Sequence, residues 1–174
     1  MKVSILTGPV GAGKTTLLRS LVEVLARRKI PVSGFTGPRV FEGGELDGYD
    51  LVEASGGRRV PFLRRRGDTL QDRIGPWFVD RGGRSAAAEW IRLSSPASVL
   101  AVDELGPLEL TGGGHWPAVR DVLDGDGRRF VFVIRDSCLE DFRVRFAGWP
   151  LLVFSVDETL NAEKIIREIA PHDR

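Results

Sequence analysis

The 174-residue chain reads as an α/β domain, a mostly parallel sheet flanked by helices with an antiparallel hairpin added to it. Three observations predict this. Short apolar runs alternate with stretches of helical periodicity along most of the chain. A glycine-rich loop, Gly8-Pro9-Val10-Gly11-Ala12-Gly13-Lys14-Thr15, joins the first strand-like run to the first helical one. Two later runs of strand character, Gly48–Glu53 and Arg59–Arg64, are separated by a turn containing Gly56-Gly57.

In chain order, Lys2–Thr7 is a short strand, and Thr16 begins a helix to about Arg28 with apolar residues at Leu17, Leu18, Leu21, Val22 and Leu25. Pro31 closes the turn and Val32–Thr36 forms a second strand. The hairpin follows. Residues 65–83, punctuated by Gly67, Gly75, Pro76, Gly82 and Gly83, read as a long surface segment or lid near the ligand site. Ser85–Leu93 is helical and ends at Pro96; Val99–Val102 is a buried strand by its unbroken apolar character. Trp116–Leu123 is a short helix, Phe130–Ile134 the strongest strand, and Leu139–Phe146 a helix. Leu151–Phe154 is a last strand and Thr159–Ile169 a closing amphipathic helix. No repeat, low-complexity tract or linker divides the chain, so residues 1–174 are expected to form a single domain.

The glycine loop fits G-x-x-x-x-G-K-[ST], the phosphate-binding P-loop, without a mismatch. Glycine lets the backbone curl so that successive N–H groups point at a polyphosphate. Lys14 brings a positive charge to the β- and γ-phosphates, Thr15 a hydroxyl for Mg²⁺, and Thr16 continues the helix N-terminus where unsatisfied amides and the helix dipole converge. Gly8 to Thr16 are therefore the expected nucleotide-binding residues.

Val99–Val102 runs into Asp103-Glu104. In a P-loop protein an acid at the end of a buried strand next to the P-loop completes the Mg²⁺ site, and Asp103 fits that place, holding the ion through water. Strand alternation turns Glu104 to the opposite side; a bend there would bring it to the γ-phosphate, where a carboxylate is a credible general base for water.

Asp103-Glu104-Leu105-Gly106-Pro107-Leu108-Glu109-Leu110, together with the loop Gly8–Thr16, Gly34-Phe35 and Gly48-Tyr49-Asp50-Leu51-Val52, resembles the small nucleoside-triphosphatase family that includes cancer-related nucleoside-triphosphatase and its archaeal and bacterial relatives. The resemblance covers nearly the whole chain. It implies a RecA-like P-loop fold, Mg²⁺-dependent hydrolysis of nucleoside triphosphate to diphosphate and phosphate with broad base tolerance, and activation of water by Glu104. Lys14, on the P-loop motif, is the other expected catalytic residue. The chain departs from the family where Thr36-Gly37-Pro38-Arg39-Val40 replaces a Thr-x-Glu-Val-Arg stretch, and where Ala162 follows Asn161 in place of an Asn-Arg pair.

Other residues are weighed against this frame. Arg135, just past the strand 130–134, is a candidate cation for the γ-phosphate, and Arg39 a second. Arg73 and Arg81 are candidate lid contacts. Trp116 is the tryptophan to test for stacking on a base, and Glu109 orients the loop after Asp103 or caps a turn. His115, in the Gly112–Gly114 loop, and His172 are expected to be exposed and outside the chemistry.

Net charge is +1, which excludes a global electrostatic case for nucleic acid or membrane surfaces; Arg58-Arg59 and Arg64-Arg65-Arg66 read as a solvated, partly strand-borne face. No apolar run approaches a membrane span. The one cysteine, Cys138, excludes an intramolecular disulfide or a thiolate metal site, suits a reducing cytoplasm, and is expected to be a partly buried small residue. The partner expected is a nucleoside triphosphate of the ATP or GTP class, and no motif selects between the bases. The rival readings are a phosphotransferase with an acceptor under the 65–83 segment, and a non-catalytic nucleotide switch or cofactor-assembly protein.

Overall fold

A computed structural model describes residues 2–68, 72–123, 127–157 and 160–170. Among them, ten strands form one sheet: β1 (Lys2–Gly8), β2 (Val32–Thr36), β3 (Arg39–Glu42), β4 (Glu45–Glu53), β5 (Arg59–Arg64), β6 (Arg73–Ile74), β7 (Trp77–Val79), β8 (Val99–Leu105), β9 (Arg129–Arg135) and β10 (Leu151–Ser155). The helices are α1 (Lys14–Arg27), α2 (Arg81–Arg92), α3 (Pro107–Leu110), α4 (Trp116–Leu123), α5 (Leu139–Arg145) and α6 (Ala162–Ile169). Strand order is β10-β1-β9-β8-β2-β4-β5-β7-β6, with β3 on β4. The five strands from β10 to β2 are parallel; β3 to β7 are antiparallel.

The parallel half is buried on both faces, as its unbroken apolar runs require. On β9, Phe130, Phe132 and Ile134 face one core while Val131 and Val133 face the other. The first core receives Ala87 and Ile91 of α2, Val119 of α4 and Phe142 of α5; the second receives Leu18 and Leu21 of α1 and Ile165 and Ile166 of α6. Gly34 in β2 has φ +90°, and a Cβ there would lie 1.9 Å from the carbonyl oxygen of Ala101, so close packing of β2 on β8 demands glycine.

The expected parallel elements are all present, several a residue or two longer. Glu45–Glu53 and Arg59–Arg64 form the expected hairpin. β3, the β6–β7 hairpin and α3 were not expected. The segment 65–83, which the sequence reads as a long surface segment or a mobile lid, carries among its described residues β6 and β7 and the start of α2. That helix begins at Arg81 rather than Ser85, because Asp80 caps it by accepting from the N–H of Gly83 (2.8 Å). Gly82 and Gly83, which read as breakers, fill its first turn, and a Cβ on Gly83 would lie 2.0 Å from the oxygen of Pro61. The closing helix starts at Ala162, capped by Asn161, which accepts from the N–H of Lys164 (3.1 Å). Thr159, residues 69–71 and His172 lie outside the described residues. No helix among the described residues is long and apolar enough to cross a membrane.

Candidate nucleotide site

The C-terminal ends of the parallel strands carry the site, where an open α/β sheet places its ligands. The glycine loop leaves β1 and enters α1. Gly11 and Gly13 have φ +86° and +87° with open space around them, so backbone conformation rather than crowding selects glycine there. Gly13 caps α1 without a side-chain acceptor and no acid occupies the first turn, which leaves the amides of the helix N-terminus available to an anion. Lys14 Nζ donates to the carbonyl oxygens of Gly8 and Pro9, both at 2.7 Å, so its ammonium sits over the loop. Burial pulls its pKa below the usual lysine value, against the nearby charge of Glu104.

Asp103 is 5% exposed. Its Oδ1 accepts from Thr15 Oγ1 (3.3 Å) and its Oδ2 from the N–H of Gly37 (2.8 Å). Desolvation pushes its pKa up to about 6 despite these two hydrogen bonds. Gly37 is free to donate because the chain breaks between β2 and β3 at Gly37-Pro38, so its N–H turns to the acid. This is a working role for part of the Thr36–Val40 stretch, and the break at Gly-Pro was its signal in the sequence.

Glu104 resolves the question of strand alternation. It has φ +66°, and the β8–β9 register shifts between Val102 and Leu105, so a bulge turns Glu104 into the same cleft as Asp103. Its carboxylate pairs with Arg135, and the two side chains are 45% and 46% exposed. Burial opposes the charge on Arg135, but the bond to Glu104 prevails and raises its pKa. β9 stands between β1 and β8, with Arg135 in register with Gly8; the acid-bearing strand is therefore one strand removed from the loop, and Arg135 fills the interval.

The cleft, about 460 Å³, is lined by Val10, Gly11, Lys14, Thr15 and Thr16 on one side and by Asp103, Glu104 and Arg135 on the other. Arg39 joins it, as expected, and so do Arg19 and Tyr49, which periodicity assigned to a helix face and a hairpin.

Several expected residues lie elsewhere. Arg73 covers the ring of Phe78, and neither it nor Arg81 lines the cleft. Trp116 packs on Phe142 and Phe146 under Arg145 and is no base platform. His115 is 7% exposed, not a surface residue. Glu109 does both jobs proposed for it, accepting from the N–H of Gly106 (2.8 Å) and of His115 (3.1 Å), and burial raises its pKa. Arg59 and Arg64 pair with Asp50, so the basic cluster is in part an internal ion-pair network.

The model of the NTPase family matches residues 3–170. The chain belongs to this family. It is 32% identical to the "Cancer-related nucleoside-triphosphatase homolog" of Bos taurus, over 96% of this chain and 94% of the relative. It is 35% identical to the "Nucleoside-triphosphatase THEP1" of Thermofilum pendens, over 70% of this chain and 68% of the relative. The solution structure of a human cancer-related nucleoside triphosphatase superposes with a TM-score of 0.77 at 28% identity, covering 99% of both chains. The crystal structure of THEP1 from Aquifex aeolicus, at 18% identity and TM-score 0.72 over 98% of this chain and 99% of that one, shares the fold. The P-loop α/β fold of the NTPase family is thus that of this chain.

Proposed function

We propose that this NTPase-family chain hydrolyses nucleoside triphosphates to diphosphate and phosphate, with Mg²⁺ and with broad tolerance of the base. The observation that carries the reading is the bulge at Glu104, which brings a half-exposed carboxylate and Arg135 into the cleft that also holds Lys14, Thr15 and the buried Asp103.

The residues fit the metal. Asp103 is desolvated, has a raised pKa and is bonded to Thr15, which is the chemistry of a carboxylate made to face a cation. Among the described residues no three His, Cys, Asp or Glu side chains gather into a closed cage, which suits an ion that completes its shell with phosphate and water. Thr15 and Asp103 would hold it, and when bound it would neutralise charge on the phosphates.

The loop Gly8 to Thr16 binds the polyphosphate through its backbone N–H groups, which every residue but Pro9 can supply, and Lys14 moves from its carbonyl contacts to the β- and γ-phosphates. Glu104 accepts a proton from water as the water oxygen bonds to the γ-phosphorus and the bond to the β–γ bridging oxygen breaks. Arg135, released from Glu104, meets the charge on the γ-phosphoryl oxygens. A single domain in the cytoplasm, with no nucleic-acid or membrane partner, agrees with the near-neutral charge and with the buried free thiol of Cys138.

Glu104→Gln tests the assignment: turnover falls by about 100-fold or more while nucleotide affinity stays nearly unchanged. Equal losses in both would reject the role given to Glu104. A second reading has one observation in its favour, an apolar cavity on the far side of Glu104 where an acceptor would stand. Phosphate release from ATP with no acceptor present decides between water and a second molecule as the attacking group.

A further inference from the structure

Beyond the Glu104–Arg135 pair, away from the phosphate loop, lies a cavity of about 270 Å³. Three strands of the antiparallel half supply aromatic walls: Tyr49 from β4, Phe62 from β5 and Trp77 from β7. Tyr49 and Trp77 meet edge to face at 5.5 Å. Leu108 of α3 and Ile74 of β6 complete the lining. For comparison, an apolar cavity of about 150 Å³ accommodates benzene, so this one is large enough for two fused rings.

His115 is the polar group in this lining that nothing yet uses. Its ring lies against Phe35 (4.9 Å) and Phe62 (5.2 Å), it is 7% exposed, and its ring nitrogens have no hydrogen-bond partner among the described residues. Burial holds its pKa down to about 4, so at neutral pH the ring is uncharged, with one donor and one acceptor. Glu109 turns its two oxygens to backbone N–H groups, those of Gly106 and of His115 itself, and makes no bond to the ring. The cations at the rim are balanced, Arg84 by Asp72 and Arg135 by Glu104.

These facts select a ligand chemistry. An anionic guest would have to break an ion pair, and a cationic one would have to compete for Asp103, which Thr15 and Gly37 already engage. An aliphatic one would leave the imidazole unpaired and make poor use of the aromatic walls. A neutral, flat ring system with a hydrogen-bonding edge meets both demands. The substrate's own base does not qualify: Lys14, Thr15 and Asp103 set the γ-phosphate end nearest Glu104, so the nucleoside end points away from this cavity.

We propose that this cavity is a second ligand site, taking a neutral planar heteroaromatic molecule of one or two fused rings that stacks on the aromatic walls and hydrogen-bonds to His115, beside a bound nucleotide rather than in place of it. The site would bring such a molecule beside Glu104, on the side away from the phosphate loop.

Quinoline is a suitable probe and naphthalene its hydrocarbon control. Each is titrated into ADP-saturated and ADP-free protein, following the indole N–H of Trp77 by NMR. Quinoline is expected to shift that signal saturably, with an affinity about millimolar or tighter, and to do so equally with and without ADP. Naphthalene is expected to bind more weakly. His115→Phe keeps the ring packing and should weaken quinoline by about tenfold, the loss of one hydrogen bond, removing its advantage over naphthalene. Ile74→Trp, at the half-buried rim, should block both probes and keeps the test decisive if His115→Phe fails to fold. Absence of a saturable shift, binding indifferent to Ile74→Trp, or displacement of quinoline by ADP would each overturn the proposal, the last by making the cavity a base pocket. None of these readings depends on hydrolysis, so failure of the hydrolase assignment would leave them intact.

Discussion

The two halves of the sheet solve different problems. In the parallel half, from β10 to β2, side chains are buried on both faces and the strand ends carry the chemistry: Gly8, Glu104 and Arg135 end three neighbouring strands. In the antiparallel half, β3 to β7, the strand residues are largely half-buried or exposed, and their polar groups pair with one another, as Asp50 does with Arg59 and Arg64. The first half builds a charged cleft by leaving groups available to a ligand. The second builds an apolar wall by satisfying its charges internally. Both meet at Gly37, Tyr49, Asp103, Glu104 and Arg135, which line both cavities.

Glycine substitutions break the comparison most severely. Gly34 and Gly48 are each crowded by a neighbouring carbonyl oxygen, that of Ala101 or Leu63, 1.9 Å from the position a Cβ would take. Gly34 also has φ +90° and lies in a strand buried on both sides. Gly34→Ala should therefore cost about 4 kcal/mol or more, close to the whole stability of a marginal domain. Gly48→Ala, in the more open half, should cost about 2 kcal/mol. Urea unfolding of the two variants measures the gap; equal losses would mean that the halves are equally tight.

His115 sharpens the comparison through pH. Its folded pKa, about 4, lies below its ordinary value of 6.5, so the folded state binds fewer protons than the unfolded state between those values. The stability associated with its neutral form is present above pH 6.5 and is lost as pH falls through 6.5 toward 4, by roughly 3 kcal/mol in all. His115→Phe should flatten that part of the stability–pH curve. An unchanged acid slope would show that the ring is not held neutral under α4.

Much of the parallel half was legible because its signals are local. The loop motif, the apolar runs and the acids at a strand end all lie within a few residues of each other. What escaped depended on contacts distant in sequence. Nothing near His115 foretells that Phe35 and Phe62 enclose it, and the Gly112–Gly114 run argues for exposure. Gly83 reads as a breaker because the oxygen of Pro61, which leaves no room for a Cβ, comes from another strand. Glu104 was readable as a candidate, but the bulge that aims it was not, since a positive φ at a glutamate has no marker in the sequence.

Two buried aspartates give the smallest effects and opposite signs. Asp50 sits between Arg59 and Arg64; burial alone would raise its pKa, but the two guanidinium groups prevail and hold it below the usual carboxylate range. Asp50→Asn takes the carboxylate from Arg59 and leaves Arg64 only its longer pairing with Asp47 (3.8 Å), and should destabilise the protein by about 1 to 2 kcal/mol. Asp103 has hydrogen bonds but no ion pair among the described residues, and its folded pKa of about 6 lies above the ordinary carboxyl value of 3.8. The folded state thus binds more protons than the unfolded state between those values, and stability is lost as pH rises through 6. Asp103→Asn should accordingly stabilise the metal-free protein by about 1 kcal/mol at pH 8 and by nothing near pH 4. The same substitution should abolish the extra thermal stabilisation that Mg²⁺ adds to bound ADP. A neutral side chain that stabilises the fold while removing the metal response would identify Asp103 as a charge kept for its ligand. If Asp103→Asn instead destabilises at pH 8 as Asp50→Asn does, its carboxylate belongs to the fold, and the contrast between the two halves fails at the residue where it should be strongest.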